Sequence, residues 1–246
     1  MNRLKSFLIL IFILPLISKS QDYCQFIQSI QSYQDSVKLK SVGDYSIIDA
    51  NTFDIQKYLS FFNNVEIENV IKINVYYFDN FLGGNPYLFA LKNNKTLNDK
   101  NKKSLYKFLN KKESRAKNHI IPKESEYGFL QYLFFSEMGE QFALKWHSCY
   151  DKKRIICSSE ELSNVIVELS KSDMFSADSV GLIKLKDVPS EIKIERNEKD
   201  FKITWIENRT HSGIYRCTYL IEREEPYNIT KINEEKLLEI FMNFIY

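Results

Sequence analysis

The apolar positions of this chain change their period along its length, and each change predicts an element. In residues 22–33, DYCQFIQSIQSY, Phe26, Ile27, Ile30 and Tyr33 recur at the spacing of one helical face. FDIQKYLSFF repeats that spacing over a shorter span, with Asp54 placed near its start. The period then drops to two. IKINVYYFDN, residues 71–80, alternates as a strand does, and LGGNPY has turn chemistry. After Pro122, apolar residues at 129, 130, 133, 134 and 138 predict a buried helix that stops near Gly139. FALKWHSCY then alternates as a strand, with Phe142, Leu144 and Trp146 facing the core. DKKR reads as its turn and RIICS as a second strand. Ser158 followed by Glu161 is a capping box for a helix whose apolar face is Leu162, Val165, Ile166 and Leu169.

The last third predicts a β meander. EIKIER, DFKITWIE and GIYRCTYLIE each alternate and are separated by short polar loops. Phe201, Ile203 and Trp205 share one face of the middle strand, and Tyr215, Cys217, Tyr219 and Ile221 share one face of the next. The tail YNITKINEEKLLEIFMNFIY predicts a strand followed by a helix starting near Asn233. The expected fold class is α+β, with helices in the N-terminal half and centre packed on a mainly antiparallel sheet built largely from the C-terminal third. One domain is expected over residues 21–246.

The N-terminus changes the meaning of the charge. Arg3 and Lys5 precede the apolar run FLILIFILPLI, and Ser18-Lys19-Ser20 has small residues at the −3 and −1 positions of a cleavage site. Residues 1–20 therefore read as a cleavable signal peptide, too short in its apolar run to span a bilayer. The expected location is secreted or periplasmic. Removing 1–20 takes away three of the 34 basic residues and none of the 32 acidic ones, which leaves a net charge of −1. The overall +2 thus belongs to the leader and carries no message about nucleic acid. No second apolar run reaches membrane-spanning length.

Residues 92–123 depart from this balance, with eleven basic residues against Asp99 and Glu113. Within them KKSLYKFLNKK puts Leu105, Phe108 and Leu109 on one helical face and lysines around the rest. The plain reading is a solvated amphipathic helix. The functional reading is a ligand-binding patch, with Lys103, Lys107, Lys111 and Lys112 at its centre, for a polyanionic glycan or a lipid headgroup surface. The charges lack the aromatic interleaving that stacks nucleic-acid bases.

Four cysteines in an exported chain predict disulfides. Cys149 and Cys157 flank the expected DKKR turn and are assigned as one pair, with Cys24 and Cys217 as the other. No CxxC or HxxxH spacing suggests a metal site, and no cofactor motif is present. Gly83-Gly84 lacks the rest of a phosphate loop.

The densest chemistry lies in SEMGEQFALKWHSCY, residues 136–150. On one continuous helix Glu140 and His147 would share a face, as a general base and its orienter do. Gly139 interrupts that helix, so the two side chains are expected to diverge. His147, Glu140 and His119 are the remaining catalytic candidates, for a secreted hydrolase of unassigned site. The preferred class is a non-catalytic binding protein of the cell envelope or extracellular space. Asn94, Asn208 and Asn228 open N-x-T triplets, which accept glycans only in a eukaryotic secretory route.

Overall fold

The computed structural model describes residues 2–38, 46–47, 53–80, 83–95, 102–172 and 175–242. In chain order the elements are helix α1 (Asn2–Ser36), β1 (Ser46–Ile47), α2 (Ile55–Ser60), β2 (Val65–Ile67), β3 (Ile71–Asn80) and β4 (Gly83–Lys92). Then come α3 (Lys102–Leu109), two 3-10 turns (Lys112–Ser114 and Ala116–His119), β5 (Ile120–Pro122) and α4 (Glu126–Met138). β6 (Lys145–Trp146), a 3-10 turn (His147–Asp151), β7 (Lys153–Ile156) and α5 (Ser159–Lys171) follow. The chain closes with β8 (Phe175–Ala177), α6 (Ser179–Leu185), β9 (Lys193–Arg196), β10 (Asp200–Arg209), β11 (Gly213–Glu222), β12 (Ile229–Leu238) and β13 (Ile240–Met242).

The fold is α+β, with an antiparallel C-terminal sheet as expected. Its order is β12-β11-β10, and β9 and β7 pair with different stretches of β10. The β10–β11 register sets Phe201 opposite Ile221, Ile203 opposite Tyr219 and Trp205 opposite Cys217. All six are buried. Gly213, which opens β11, has φ +124°, and a Cβ there would lie 2.0 Å from the Leu238 carbonyl oxygen. Only glycine fits that return. β12 is the outer strand, and two register irregularities interrupt its ladder with β11.

A second antiparallel sheet, ordered β1-β3-β4-β6, comes from the first half of the chain. α4, apolar on nearly every side and therefore buried, packs on β10 of the C-terminal sheet and on β2 and β5. Ser125 caps it by accepting the Gly128 N–H at 3.0 Å. Its Phe129 stacks on Phe201 at 4.2 Å, and Phe134 meets Phe26 of α1 edge-on at 5.7 Å. On the sheet's other face, Leu162 and Ile166 of α5 and Leu185 of α6 cover Ile156, Ile206, Ile214 and Leu238. Ser158 caps α5 as its sequence requires, accepting the Glu161 N–H at 3.1 Å.

Four local expectations are corrected. The tail has no helix at Asn233. Residues 229–238 pair with β11 along its length, and β13 continues to pair with β8. Lysines and glutamates there have good helix propensity, but the ladder satisfies one edge of backbone and lets Leu238 and Ile240 be buried. Gly83 and Gly84 are not the turn. They open β4, pairing with Asn80 and Asp79, and a Cβ at either would crowd Ser148 or the Tyr77 hydroxyl. The expected strand from Phe142 shrinks to Lys145–Trp146. Ala143 has φ +49°, which breaks the alternation, and the Trp146 side chain lies outside the described residues. Phe142 is nevertheless buried, stacked on Phe53 at 4.6 Å.

The disulfide assignment is the fourth correction. Cys157 is bonded to Cys24 of α1, while Cys149 and Cys217 are free thiols. Without the hairpin, β6 joins β4 and β7 joins β10, so nothing draws Cys149 towards Cys157. Gln31 of α1 grips the β7 backbone, donating to the Ile155 carbonyl at 3.1 Å and accepting its N–H at 2.7 Å. That contact holds α1 against β7, where Cys24 meets Cys157.

Candidate functional site

The geometry of residues 136–140 is set by how α4 ends. The Met138 carbonyl accepts from Gln34 Nε2 at 2.8 Å, and the Gly139 carbonyl accepts from the Tyr58 hydroxyl at 2.7 Å. Two side chains from α1 and α2 thus satisfy carbonyls that a helix end leaves open. The chain then turns, and Glu140 reaches β4, where its carboxylate accepts the Leu88 N–H at 2.7 Å.

Glu140 faces a hollow of about 110 Å³, whose lining includes Arg115, Lys117, Ser136 and Glu137. Arg115 arrives through an antiparallel bridge to Phe89, with its guanidinium 4.3 Å from the Tyr87 ring centre. That is cation–π distance. Its Nη1 is 4.0 Å from Glu140 Oε2, an ion pair without a hydrogen bond. Burial raises the Glu140 carboxyl above its ordinary range, outweighing the Leu88 N–H and the charges of Arg115 and Lys117. The Ser136 hydroxyl is shielded from solvent and has no hydrogen-bond partner. A larger hollow of about 550 Å³ adjoins, with Lys117, Ser136 and Glu137 as shared walls.

The three histidines do not join Glu140. His119 Nε2 donates to the Glu113 carbonyl at 2.7 Å, and its Nδ1 faces Glu68 Oε2 at 3.1 Å. His147 is exposed at the start of a 3-10 turn, its ring 5.0 Å from that of Tyr150. His211 approaches the same tyrosine ring at 4.4 Å, so two histidines far apart in sequence meet one aromatic. Among the described residues no hydrogen bond or ion pair links an imidazole to Glu140.

The basic segment is anchored from beneath. Leu105 and Leu109 of α3 are buried with Tyr76, Tyr87 and Phe89 of the N-terminal sheet, which turns the lysines outwards. Lys103, Lys107, Lys111 and Lys112 are all exposed. Lys111 has Glu113 at 3.8 Å, whereas the other three have no acidic partner among the described residues. Residues 96–101, part of the lysine-rich loop, lie outside the described residues.

One dense cluster escaped the sequence reading. Glu207 of β10 is fully buried and accepts from Trp205 Nε1 (2.9 Å), Arg209 Nε (3.0 Å), Arg209 Nη2 (2.8 Å) and the Tyr219 hydroxyl (2.8 Å). Burial alone would push its carboxyl up, but these donors and the Lys153 charge hold it below its ordinary range. Arg209 also donates to Glu234 at 2.6 Å and lies over the Tyr215 ring at 4.2 Å. The neighbouring Cys217 thiol is pushed up to about 12 by burial and by Glu207, which leaves it unreactive. The period-two pattern that puts Phe201, Ile203 and Trp205 inside also puts Glu207 inside and Arg209 at its rim, and it was the available signal.

The chain was compared with protein-family models, with curated proteins and with solved structures, and none matches it. The disulfide fits an oxidising compartment, outside the cell or in the periplasm. Among the described residues no helix is long and apolar enough to cross a membrane.

Proposed function

We propose that this is an exported, non-catalytic binding protein whose basic segment, residues 92–123, engages a polyanionic glycan or an anionic lipid headgroup surface. Residues 1–20 act as its leader, and the working chain begins at Gln21. One observation supports the reading above the rest. Lys103, Lys107 and Lys112 are exposed and have no carboxylate partner among the described residues, on an α3–turn unit fixed by Leu105 and Leu109. A merely solvated face has no need to be kept clear of counter-charge in a chain so nearly balanced. Such a surface attracts arrays of negative charge, and the attraction decays over about 8 Å at physiological salt.

Retention on a heparin-type column and sedimentation with anionic vesicles separate the two ligand sources. Retention that falls steeply with salt, and is lost on replacing Lys103, Lys107 and Lys111 with glutamate, supports the glycan. Salt-sensitive pelleting with vesicles alone supports the headgroup surface. Retention and pelleting unchanged by the triple substitution would assign the lysines to solvation only.

A further inference from the structure

The hollow beside Glu140 collects hydrogen-bond donors that the protein itself leaves unused. The Arg115 guanidinium rests on Tyr87 and is held beyond hydrogen-bond distance of its nearest carboxylate oxygen, at 4.0 Å. Lys117 is exposed and has no ion-pair or hydrogen-bond partner among the described residues, yet it lines the hollow. Ser136 brings a shielded hydroxyl with no partner, a state that buried polar groups rarely keep without a ligand or ordered water. Three donors, two of them cationic, thus border one small space.

We propose that this hollow is a binding site for a single oxyanion, held by Arg115, Lys117 and the Ser136 hydroxyl. The proposal rests on the polyanion reading and deepens it, since one sulfate or phosphate group of such a ligand would have its own seat. Size agrees, because about 110 Å³ has room for one small ion between the three donors. A guanidinium and an ammonium side by side are the usual partners of phosphate and sulfate oxygens.

Two carboxylates also border the space and must not repel the guest. Glu137 has Lys153 at 3.8 Å, which offsets its charge. Glu140 spends one oxygen on the Leu88 N–H, and burial favours its neutral form. Neutral Glu140 leaves Arg115 to the anion, whereas ionised Glu140 competes for it. The carboxyl is therefore a positioning group that sets how available Arg115 is.

Sulfate is the probe, because its charge is constant across the working range. Calorimetric titration of the whole protein with sodium sulfate, at constant ionic strength, should show one saturable site. Lys117→Gln and Ser136→Ala should each weaken binding, and Arg115→Gln should weaken it by about tenfold, the loss of one charge-assisted hydrogen bond. Parent binding should weaken as rising pH ionises Glu140, and Glu140→Gln should remove that weakening, which a purely structural role for Glu140 would not do. If Arg115→Gln fails to fold, Lys117→Gln still decides, because that side chain is exposed and makes no hydrogen bond or ion pair among the described residues. No saturable sulfate binding, or binding that ignores both Lys117→Gln and Ser136→Ala, overturns the site. The triple Lys103, Lys107 and Lys111 variant should bind sulfate as the parent does. Loss of heparin retention in that variant, with sulfate titration silent in the parent, leaves the polyanion reading intact and removes this one. The reverse pattern keeps the oxyanion site and removes the polyanion reading.

Discussion

Replacing Arg209 with methionine tests the most concentrated electrostatics in the molecule. Among the described residues, Arg209 supplies two of the four hydrogen bonds that Glu207 accepts, and the only cation bonded to that fully buried carboxylate. Methionine conserves bulk and removes the charge, so Glu207 keeps only Trp205 and Tyr219 as donors among the described residues and must be buried either uncompensated or protonated at a cost. Breaking a buried pair from one side costs about 3–5 kcal/mol, because the remaining charge is uncompensated. For a chain of this length 1 kcal/mol moves Tm by about 2–4 °C, so the drop should be about 6–20 °C. Urea unfolding followed by tryptophan fluorescence gives the free energy directly. The double variant Glu207→Gln/Arg209→Met separates causes. With the orphaned charge removed, much of the loss should return, although the Arg209 contacts with Glu234 and Tyr215 stay lost. A single variant that costs under about 1 kcal/mol, or a double variant as unstable as the single, would refute the argument from uncompensated charge.

Four further outcomes can be measured. Non-reducing peptide mapping should recover Cys24 linked to Cys157 with Cys149 and Cys217 as thiols, and Cys149 linked to Cys157 would reject it. Replacing both bonded cysteines with serine should lower stability by up to about 5 kcal/mol, the chain-entropy limit for so long a loop. Stability should fall in acid. Glu207 and Asp35 are held below the ordinary range against the opposing effect of burial, and Glu234 is drawn to about 2 by Arg209 and Lys231. Folded values below unfolded ones give stability that is full above the ordinary carboxylate range and lost as pH falls through about 4 towards 2. Urea midpoints that do not change between pH 7 and pH 3 would contradict that sign. Secreted protein should begin at Gln21 by N-terminal sequencing, and an intact Met1 on a membrane-bound product excludes the leader.

What the sequence revealed was governed by range. Phe201, Ile203 and Trp205 alternate within one strand, Ser158 and Glu161 are three apart, and Gly139 ends its own helix, so local pattern was enough for each. The Cys24–Cys157 bond spans 133 residues and depends on Gln31 gripping β7, which no local spacing encodes. Residues 229–238 failed for a related reason. Their lysines and glutamates suit a helix, and only the presence of β11 makes them a strand. Of the candidate site, the exposed lysines of α3 were legible because Leu105, Phe108 and Leu109 mark its buried face. The hollow was not, because Arg115, Ser136 and the Leu88 N–H come from three segments brought together by α4's ending.

The outer position of β12 carries a consequence for how copies of this protein behave when crowded. A ten-residue edge strand offers unpaired backbone groups to any passing strand, and Ile232, 48% exposed, is the kind of apolar spot at which such pairing starts. Lys231 stands immediately before it, and Glu234, Glu235 and Lys236 follow within four residues. These act as gatekeepers, because a second copy laid along the edge would have to desolvate them. The two irregularities in the β11–β12 ladder add a geometric guard, since an irregular edge is a poor template for a regular partner. Resistance to fibril-like stacking is thus vested in four charges and two ladder irregularities at the rim, and concentrated storage in strong acid, where both glutamates are neutralised, is where that resistance should fail first.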